Sequence, residues 1–334
     1  MWLAHHRVGG ASTVLSGPPI ADFAPCEPEM EPYRTAVGEL VAEFGQLDSS
    51  DRLSAELMLE RRLDEPAFTQ VLEATPDGRD ATIAKLLFEV RNYDPSERNS
   101  PASLAGLVRI SMLAQIEAVW WGREDCYETD ADLLDATDLT DLDELSPTGQ
   151  LSPTGQLSFT YRHQPATLLS RAARSAERRT LPGRSPRTAG LWLAKAKPQA
   201  VAWLNELAGD FATLAPAGTP PLWVTSLTRS VAHQRRLREL GYAALLPSSH
   251  CVGFAADIEI AWYRRFHAHR ILRGLLLDRQ RAGEVNVIDE GQAWHVCLRP
   301  KITHEPRERE SPSQLRVSYS AVNTGIALPG SHHA

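Results

Sequence analysis

The chain has 334 residues, which is enough for two domains of ordinary size. Its composition, 43% hydrophobic and 23% charged, is typical of soluble globular proteins. A net charge of −7 argues against a nucleic-acid partner, and four cysteines are too few for a disulfide scaffold. Composition and charge therefore leave the chain among ordinary folded proteins.

The first third of the chain predicts a flexible arm over residues 1–30 and a helical region over residues 31–125. In "YRTAVGELVAEFGQL" and "SSDRLSAELMLERRL", apolar residues recur every three or four positions, and Ser50 or Asp51 is a candidate cap for the second helix. The apolar stretch "ASLAGLVRISMLAQIEAVWW" carries Arg109, Gln115 and Glu117, which favours a buried helix over a membrane span. No signal peptide is evident, so the sequence leaves the localisation unassigned.

Residues 126–188 predict an acidic linker rich in Pro, Gly and Thr. The stretch "DADLLDATDLTDLDE" lacks the glycine and the terminal glutamate of a calcium-binding EF-hand loop. It leads into "LSPTGQLSPTGQLS", in which one hexapeptide is written twice. Both stretches are typical of solvated connecting chain.

Residues 189–302 predict an α+β domain, followed by a flexible tail over 303–334. Short apolar runs alternate with helical patterns, and four of these runs favour strands: "PLWVTSLTRS", "GFAADIEI", "EVNVI" and "QAWHVCL". Because most of these strands pair locally, we expect a small antiparallel sheet with helices packed on one face.

Three side chains in this domain are candidate metal ligands. His250 and Asp257 stand seven positions apart in "LPSSHCVGFAADIE", and His295 follows in "GQAWHVCL". A catalytic zinc site takes three nitrogen, oxygen or sulfur ligands and leaves one position open. The alternative is that His250 caps a turn and His295 is an ordinary core histidine.

The blocks "SLTRSVAHQRRLRELGY", "SSHCVGFAADIE" and "WHVCL" together resemble the LAS zinc metallopeptidases. That family contains D-Ala-D-Ala carboxypeptidases and dipeptidases, L,D-carboxypeptidases, phage endolysins and the hedgehog signalling domain. Its pattern is a strand ending in Arg-Ser with a downstream Gln, then Ser-x-His-(six residues)-Asp with an internal Gly, then Trp-His or similar. The resemblance covers only about residues 190–300.

The resemblance implies a hedgehog- or DD-peptidase-like fold, with His250, Asp257 and His295 as zinc ligands. It makes Arg229 a candidate to hold a substrate carboxylate or the oxyanion, and it places Ser248 near the substrate. Gln234 matches the glutamine after Arg-Ser and joins the substrate-binding set in a structural role. It also implies a peptidoglycan peptide as substrate, in the cell envelope or outside the cell.

The general base departs from the family pattern. Family enzymes commonly have a glutamate three residues before the last histidine, and here that residue is Gln292. We expect Glu290 to be the base, with Glu259 as the alternative. Since five extended residues span roughly 16 Å, Glu290 reaches the metal only if the chain folds back, which Gly291 permits.

The two cysteines next to these histidines leave three alternatives open. Cys251 and Cys297 form a disulfide that joins the ligand-bearing segments, or Cys297 approaches the metal and closes its open position, or both are small buried residues.

Three functions follow from the sequence. The first is a zinc-dependent carboxypeptidase or endopeptidase that cleaves cell-wall peptides near D-amino acids. The second is a non-catalytic zinc domain that binds a wall peptide or a protein partner. The third is a helical interaction protein whose function lies in residues 32–125.

Overall fold

The computed structural model describes residues 28–47, 51–94, 101–146 and 157–300, apart from positions 166, 182, 184, 243 and 247. Most of the predicted arm, the predicted tail, the repeated hexapeptide and Cys26 lie outside the described residues. The mixed α+β class is confirmed, with small antiparallel sheets beside many helices.

The N-terminal region is a bundle of helices around its own apolar core. Its helices are α1 Met30–Phe44, α2 Arg52–Leu63, α3 Pro66–Ala74, α4 Gly78–Arg91 and α5 Leu104–Trp121. Tyr33, Phe68 and Met112 lie fully buried at its centre, where the Tyr33 hydroxyl donates to the carbonyl of Met112 at 2.7 Å. Asp51 caps α2 by accepting from the backbone N–H of Ser54, one of the two caps expected.

The segment predicted as a linker contains regular structure. It holds α6 Asp130–Asp135, β1 Thr140–Asp141, α7 Leu142–Leu145 and α8 Leu168–Thr180. Leu133 and Leu142 are fully buried, and β1 pairs with β2 Lys195–Ala196. The acidic residues of this stretch predicted a solvated chain. The leucines between them are buried instead, and their apolar contacts fix the segment against the rest of the protein. The division of the chain into domains remains a prediction.

The described part of the C-terminal region contains a four-stranded antiparallel sheet in the order β3-β4-β6-β5. Its strands are β3 Val224–Ser226, β4 Ala255–Glu259, β5 Val285–Asp289 and β6 Ala293–Leu298. Its helices are α9 Pro198–Leu214, α10 Val231–Glu239 and α11 His269–Arg281, with 3-10 turns at Ser249–Val252 and Trp262–Phe266.

Helices cover both faces of this sheet. Alternate strand residues such as Ile258, Val287 and Val296 join the core beneath α9 and α11. The opposite face, which carries Asp257 and His295, packs against α5 of the N-terminal region. The sequence predicted helices on one face only, because the strands and α5 are separated by more than a hundred residues and nothing local links them.

Helix α5 is apolar on nearly all sides because it lies between two cores. One side joins the helical bundle, and its C-terminal end meets the sheet region, where Trp121 stacks on Phe254 at 4.0 Å between ring centroids. The Trp121 indole N–H also donates to the carbonyl of Leu298 at 2.7 Å. Among the described helices, α5 has the length and composition to cross a membrane. Half of it is buried inside the protein, and a core helix of a soluble protein has the same length and composition.

Candidate metal centre

The three predicted ligands meet on one face of the sheet. Asp257 and His295 are direct partners in the β4–β6 ladder, so their side chains leave the sheet side by side. His250 comes from the 3-10 turn just before β4. Gly253 ends that turn with φ of +85°, a left-handed conformation that a side chain would strain.

The ligand atoms form a nearly equilateral triangle. His250 Nε2 lies 3.1 Å from Asp257 Oδ1 and 3.1 Å from His295 Nδ1, and His295 Nδ1 lies 3.0 Å from Asp257 Oδ1. All three residues are buried. This group could hold a metal ion.

Each ligand is held from behind by a second partner. His250 Nδ1 lies 2.7 Å from the carbonyl of Leu227 and must donate to it, which leaves Nε2 as the free ligand atom. His295 Nε2 lies 3.0 Å from the carboxylate of Glu117. The Oδ2 atom of Asp257 accepts from Arg229 Nη2 at 2.6 Å. Such outer partners fix the orientation of metal ligands.

The charges of the three ligands differ. Burial, followed by the nearby cation of Arg229, lowers the pKa of His250 to about 4, so that it is neutral at pH 7. Burial also opposes a charge on His295, but Glu117 and Asp257 outweigh it and hold its pKa well above the usual value. Burial likewise opposes a charge on Asp257, yet the positive charge of Arg229 and the hydrogen bond with His295 keep the pKa of Asp257 well below its usual range.

The raised pKa of His295 favours a proton on its Nδ1 atom, between the three ligand atoms. Without it, Asp257 Oδ1, His250 Nε2 and His295 Nδ1 would be three electron-rich atoms in mutual contact. The Nδ1 proton of His295 lies within reach of both neighbours, and a metal cation would replace it.

Glu117 is the residue at this site that sequence reasoning missed. It lies near the end of α5 and contacts Ser249 Oγ at 2.6 Å and Asn286 Nδ2 at 2.9 Å besides His295. Burial disfavours its charge, but His295 reverses that effect and lowers the pKa of Glu117. The one available signal was an acidic residue inside an otherwise apolar helix.

All three predicted substrate residues line the cleft, but two of them are bonded mainly to other protein groups. Arg229 donates to Ser226, Gln234 and Asp257 through three different nitrogens. Gln234 is buried and its amide also donates to a backbone carbonyl, in keeping with a structural role. Ser248 lines the cleft and accepts from the backbone N–H of His250 at 3.3 Å.

The two candidate bases lie in different places. Glu290 sits in a hairpin that folds back at Gly291, with φ of +84°, so its side chain lines the same cavity as the ligands. Glu290 is exposed to the cleft, yet partial desolvation of its carboxyl by the surrounding protein, and next the negative charge of Asp257, raises its pKa to about 7. Glu259 instead accepts from the backbone N–H of Trp262 at 2.9 Å, away from the cleft, which makes it a turn cap.

The ligands open onto a cleft of about 640 Å³ between the two regions. One wall is α5, which presents small residues such as Ala114 and Ala118. The cleft is also lined by the half-exposed Trp192, which stacks on His233, and by the exposed Arg187. Volume and lining suit a small organic ligand or a short peptide.

Cys251 and Cys297 are both free thiols in the structure. The thiol of Cys251 lies beside that of Cys126, which follows α5, and this neighbour, with burial, raises its pKa. Cys297 lies on the ligand face of β6, where its Sγ donates to the carbonyl of Leu298. Its thiol is not among the grouped ligand atoms, so the disulfide and the fourth-ligand alternatives have no support in these contacts.

A scan against protein-family models finds no match, and neither the curated proteins nor the solved structures give a significant one. The residues of the site are therefore the basis for assigning a function.

Proposed function

We propose that this protein is a zinc-dependent peptidase that acts on cell-wall peptides. The observation that carries the proposal is the triangle of His250, Asp257 and His295 ligand atoms on a cleft that also contains Glu290. The resemblance to the LAS metallopeptidases supplies the substrate class, the hedgehog- or DD-peptidase-like fold and the extracellular setting.

Zinc is the metal that this donor set favours. Two imidazole nitrogens and one carboxylate oxygen are typical ligands of catalytic zinc, and three protein ligands leave a position for water or substrate. Zinc–ligand bonds of about 2.0–2.1 Å in a tetrahedron separate the ligand atoms by roughly 3.3 Å. The observed edges of 3.0–3.1 Å need only a small expansion to reach that value.

Glu290 is the proposed general base. A bound zinc would polarise the scissile carbonyl and make a water molecule acidic enough to attack it. Glu290 takes the proton of that water and returns it to the leaving amine. A carboxyl with a pKa of about 7 suits both transfers, because it exchanges protons readily at neutral pH.

Arg187 is the proposed anchor for the substrate carboxylate. Arg229 had been expected in that role, but its guanidinium is already bonded to Asp257, Ser226 and Gln234, so its main task is to hold a metal ligand. Arg187 lines the same cleft, and within the described part of the chain no hydrogen bond or ion pair engages its side chain. A free, planar cation is suited to a carboxylate.

Assaying hydrolysis of peptides ending in D-Ala-D-Ala, with the zinc-loaded and the chelator-treated protein, tests this function. We expect release of D-alanine from the zinc-loaded protein, loss of release after chelation and recovery on adding zinc. A longer wall peptide with an internal D-amino acid separates endopeptidase from carboxypeptidase activity. No cleavage of any of these peptides by a protein shown to hold zinc would overturn the proposed hydrolysis.

A non-catalytic zinc domain that binds a wall peptide is the second candidate. Gln292 favours it, since it stands where the family commonly has glutamate, and it lines the cleft. If the natural protein binds wall peptides without cleaving them and Gln292→Glu gains cleavage, the binding function is the correct one.

A further inference from the structure

Glu117 lies in helix α5 of the helical region, but the side chains that contact its carboxylate lie in the C-terminal region. Among the described residues of α1 to α5 it is the one charged residue that is buried, with 6% of its surface exposed. Its carboxylate turns away from the helical core and towards the sheet. Burying a carboxylate is costly unless strong partners compensate, so this placement requires an explanation.

The partners of Glu117 come mainly from the C-terminal region. Of the two side chains that contact its Oε2 atom, one is a metal ligand and the other is next to a metal ligand in the sequence. That atom faces His295 Nε2 at 3.0 Å and accepts from Ser249 Oγ at 2.6 Å, while Oε1 accepts from Asn286 at 2.9 Å. All three partners are buried. Ser249 directly precedes one metal ligand and His295 is another, so Glu117 fixes two ligand-bearing segments at once.

We propose that Glu117 is a positioning residue for the metal ligand His295. Helix α5 thereby contributes a residue to the metal centre. The hydrogen bond from Nε2 to Glu117 commits the other ring nitrogen, Nδ1, to the metal and holds the ring plane in the ligand triangle. A carboxylate behind an imidazole also makes that imidazole a stronger electron donor. The inference rests on the metal centre of the proposed function, but it does not require that the protein cleave peptides.

Docking of the two regions does not by itself require this carboxylate. Trp121 stacks on Phe254 and donates to Leu298, and Arg238 pairs with Glu89 at 2.7 Å across the same two regions. A purely structural contact at position 117 could use a neutral side chain without the cost of burying a charge. The charge of Glu117 is therefore explained by its hydrogen bond with His295.

The test compares Glu117→Gln with the unaltered full-length protein, using zinc and cobalt(II) as probes. Glutamine keeps the size and an acceptor oxygen but removes the charge. We expect zinc affinity, measured by competition with a chromophoric chelator, to fall about 10- to 100-fold. The cobalt absorption bands should shift as well, because the donor strength of one ligand changes. The matched control is Glu89→Gln, which removes another carboxylate that bridges the two regions and should leave both readouts unchanged.

The metal-free melting temperature and circular dichroism of each variant report on folding. If Glu117→Gln is too unstable to study, Ser249→Ala removes one support of the same carboxylate and should weaken zinc binding by a smaller factor. Wild-type affinity and an unchanged cobalt spectrum in folded Glu117→Gln would overturn the positioning role while leaving the metal centre intact. Failure of the unaltered protein to bind either metal would overturn the metal centre itself.

Discussion

The two regions of the molecule bury different kinds of side chain. The helical core of α1 to α5 is built from residues such as Tyr33, Phe68 and Met112, and its buried polar groups are mostly hydroxyls. The region around the sheet buries His250, Asp257 and His295 in one connected network, and the partly buried Arg229 is bonded to its edge. Apolar packing is sufficient to hold a helical bundle together, whereas buried charges that face one another across strands indicate a site for chemistry.

Glu117 makes the comparison instructive, because it belongs to the first region by sequence and to the second by contact. The helical bundle supplies one wall of the cleft and a hydrogen-bond partner for the candidate metal ligand His295, so it contributes to the candidate site itself. The following predictions test how far the two regions depend on each other.

The largest effect should follow physical separation of the regions. Proteolysis between residues 147 and 156, where the repeated hexapeptide predicts exposed chain, should leave two pieces that still elute together, because α5 remains packed on the sheet. After denaturation and separate refolding, the C-terminal piece should aggregate and bind no metal, since the ligand-bearing face has lost its cover. Gel filtration with metal analysis measures this. A C-terminal piece that binds metal with wild-type affinity would show that the regions are independent.

Removal of a ligand should abolish metal binding without disturbing the helical core. In His295→Ala the triangle loses one of three donors, so bound zinc should fall from one per chain to nearly none after dialysis. The control is His233→Ala, which changes a cleft histidine stacked on Trp192. Equal zinc in His295→Ala and wild type would contradict the ligand assignment.

Removing the proposed base should lower the rate of hydrolysis without lowering the amount of bound metal. Glu290→Gln keeps shape and hydrogen bonding but cannot accept a proton, so kcat should fall by on the order of a hundredfold while zinc stays bound. Glu259→Gln is the control: its carboxyl caps the turn at Trp262, so it should affect stability and leave kcat nearly unchanged. If Glu259→Gln lowers kcat and Glu290→Gln does not, the base has been misassigned.

Metal affinity should depend on pH in a defined direction. The carboxylates of Glu117 and Asp257 raise the pKa of His295 well above its usual value, so the metal must displace a proton from Nδ1. Below that raised pKa, the zinc dissociation constant should therefore fall about tenfold for each pH unit gained, and proton release should approach one per zinc. Titrations from pH 6 to 8 in buffers of different ionisation enthalpy measure both quantities. A dissociation constant that is flat across this range would mean that His295 is already neutral.

The sequence predicted the ligand set but not the residues that support it. His250, Asp257 and His295 could be proposed as ligands because their spacing and the family-like blocks pointed to them, and the structure brings their ligand atoms together. Glu290 could be placed because Gly291 permitted a fold-back, and the hairpin takes that course. These inferences use neighbours in sequence or a motif with known spacing.

Glu117 and the role of Arg229 could not be predicted in this way. The contact between Glu117 and His295 joins residues 178 positions apart, and nothing in the helical periodicity of α5 indicates which of its sides meets a sheet. Arg229 matched a substrate position by motif, but Gln234 and Ser226 turn its guanidinium onto Asp257. Long-range packing decides such details.

The smallest predicted effect concerns the substrate anchor at the rim of the cleft. Arg187 follows α8, and Arg174 of α8 holds its segment by donating to the carbonyls of Thr188 and Ala189. The guanidinium is exposed, so its attraction for a carboxylate is weakened by water and salt. Arg187→Ala should therefore raise KM about two- to fivefold for a peptide with a free C-terminal carboxylate and leave kcat nearly unchanged.

Two comparisons make this result specific. Capping the peptide as its C-terminal amide removes the partner of Arg187, so the amide should bind wild type and Arg187→Ala equally weakly. Arg273→Ala removes an exposed arginine from α11, on the far side of the sheet, and should leave KM unchanged. Because the interaction is between exposed charges, the advantage of wild type over Arg187→Ala should also shrink as salt rises from about 0.05 to 0.5 M. A rise in KM of the same size with the amide would mean that Arg187 shapes the cleft rather than binding the carboxylate.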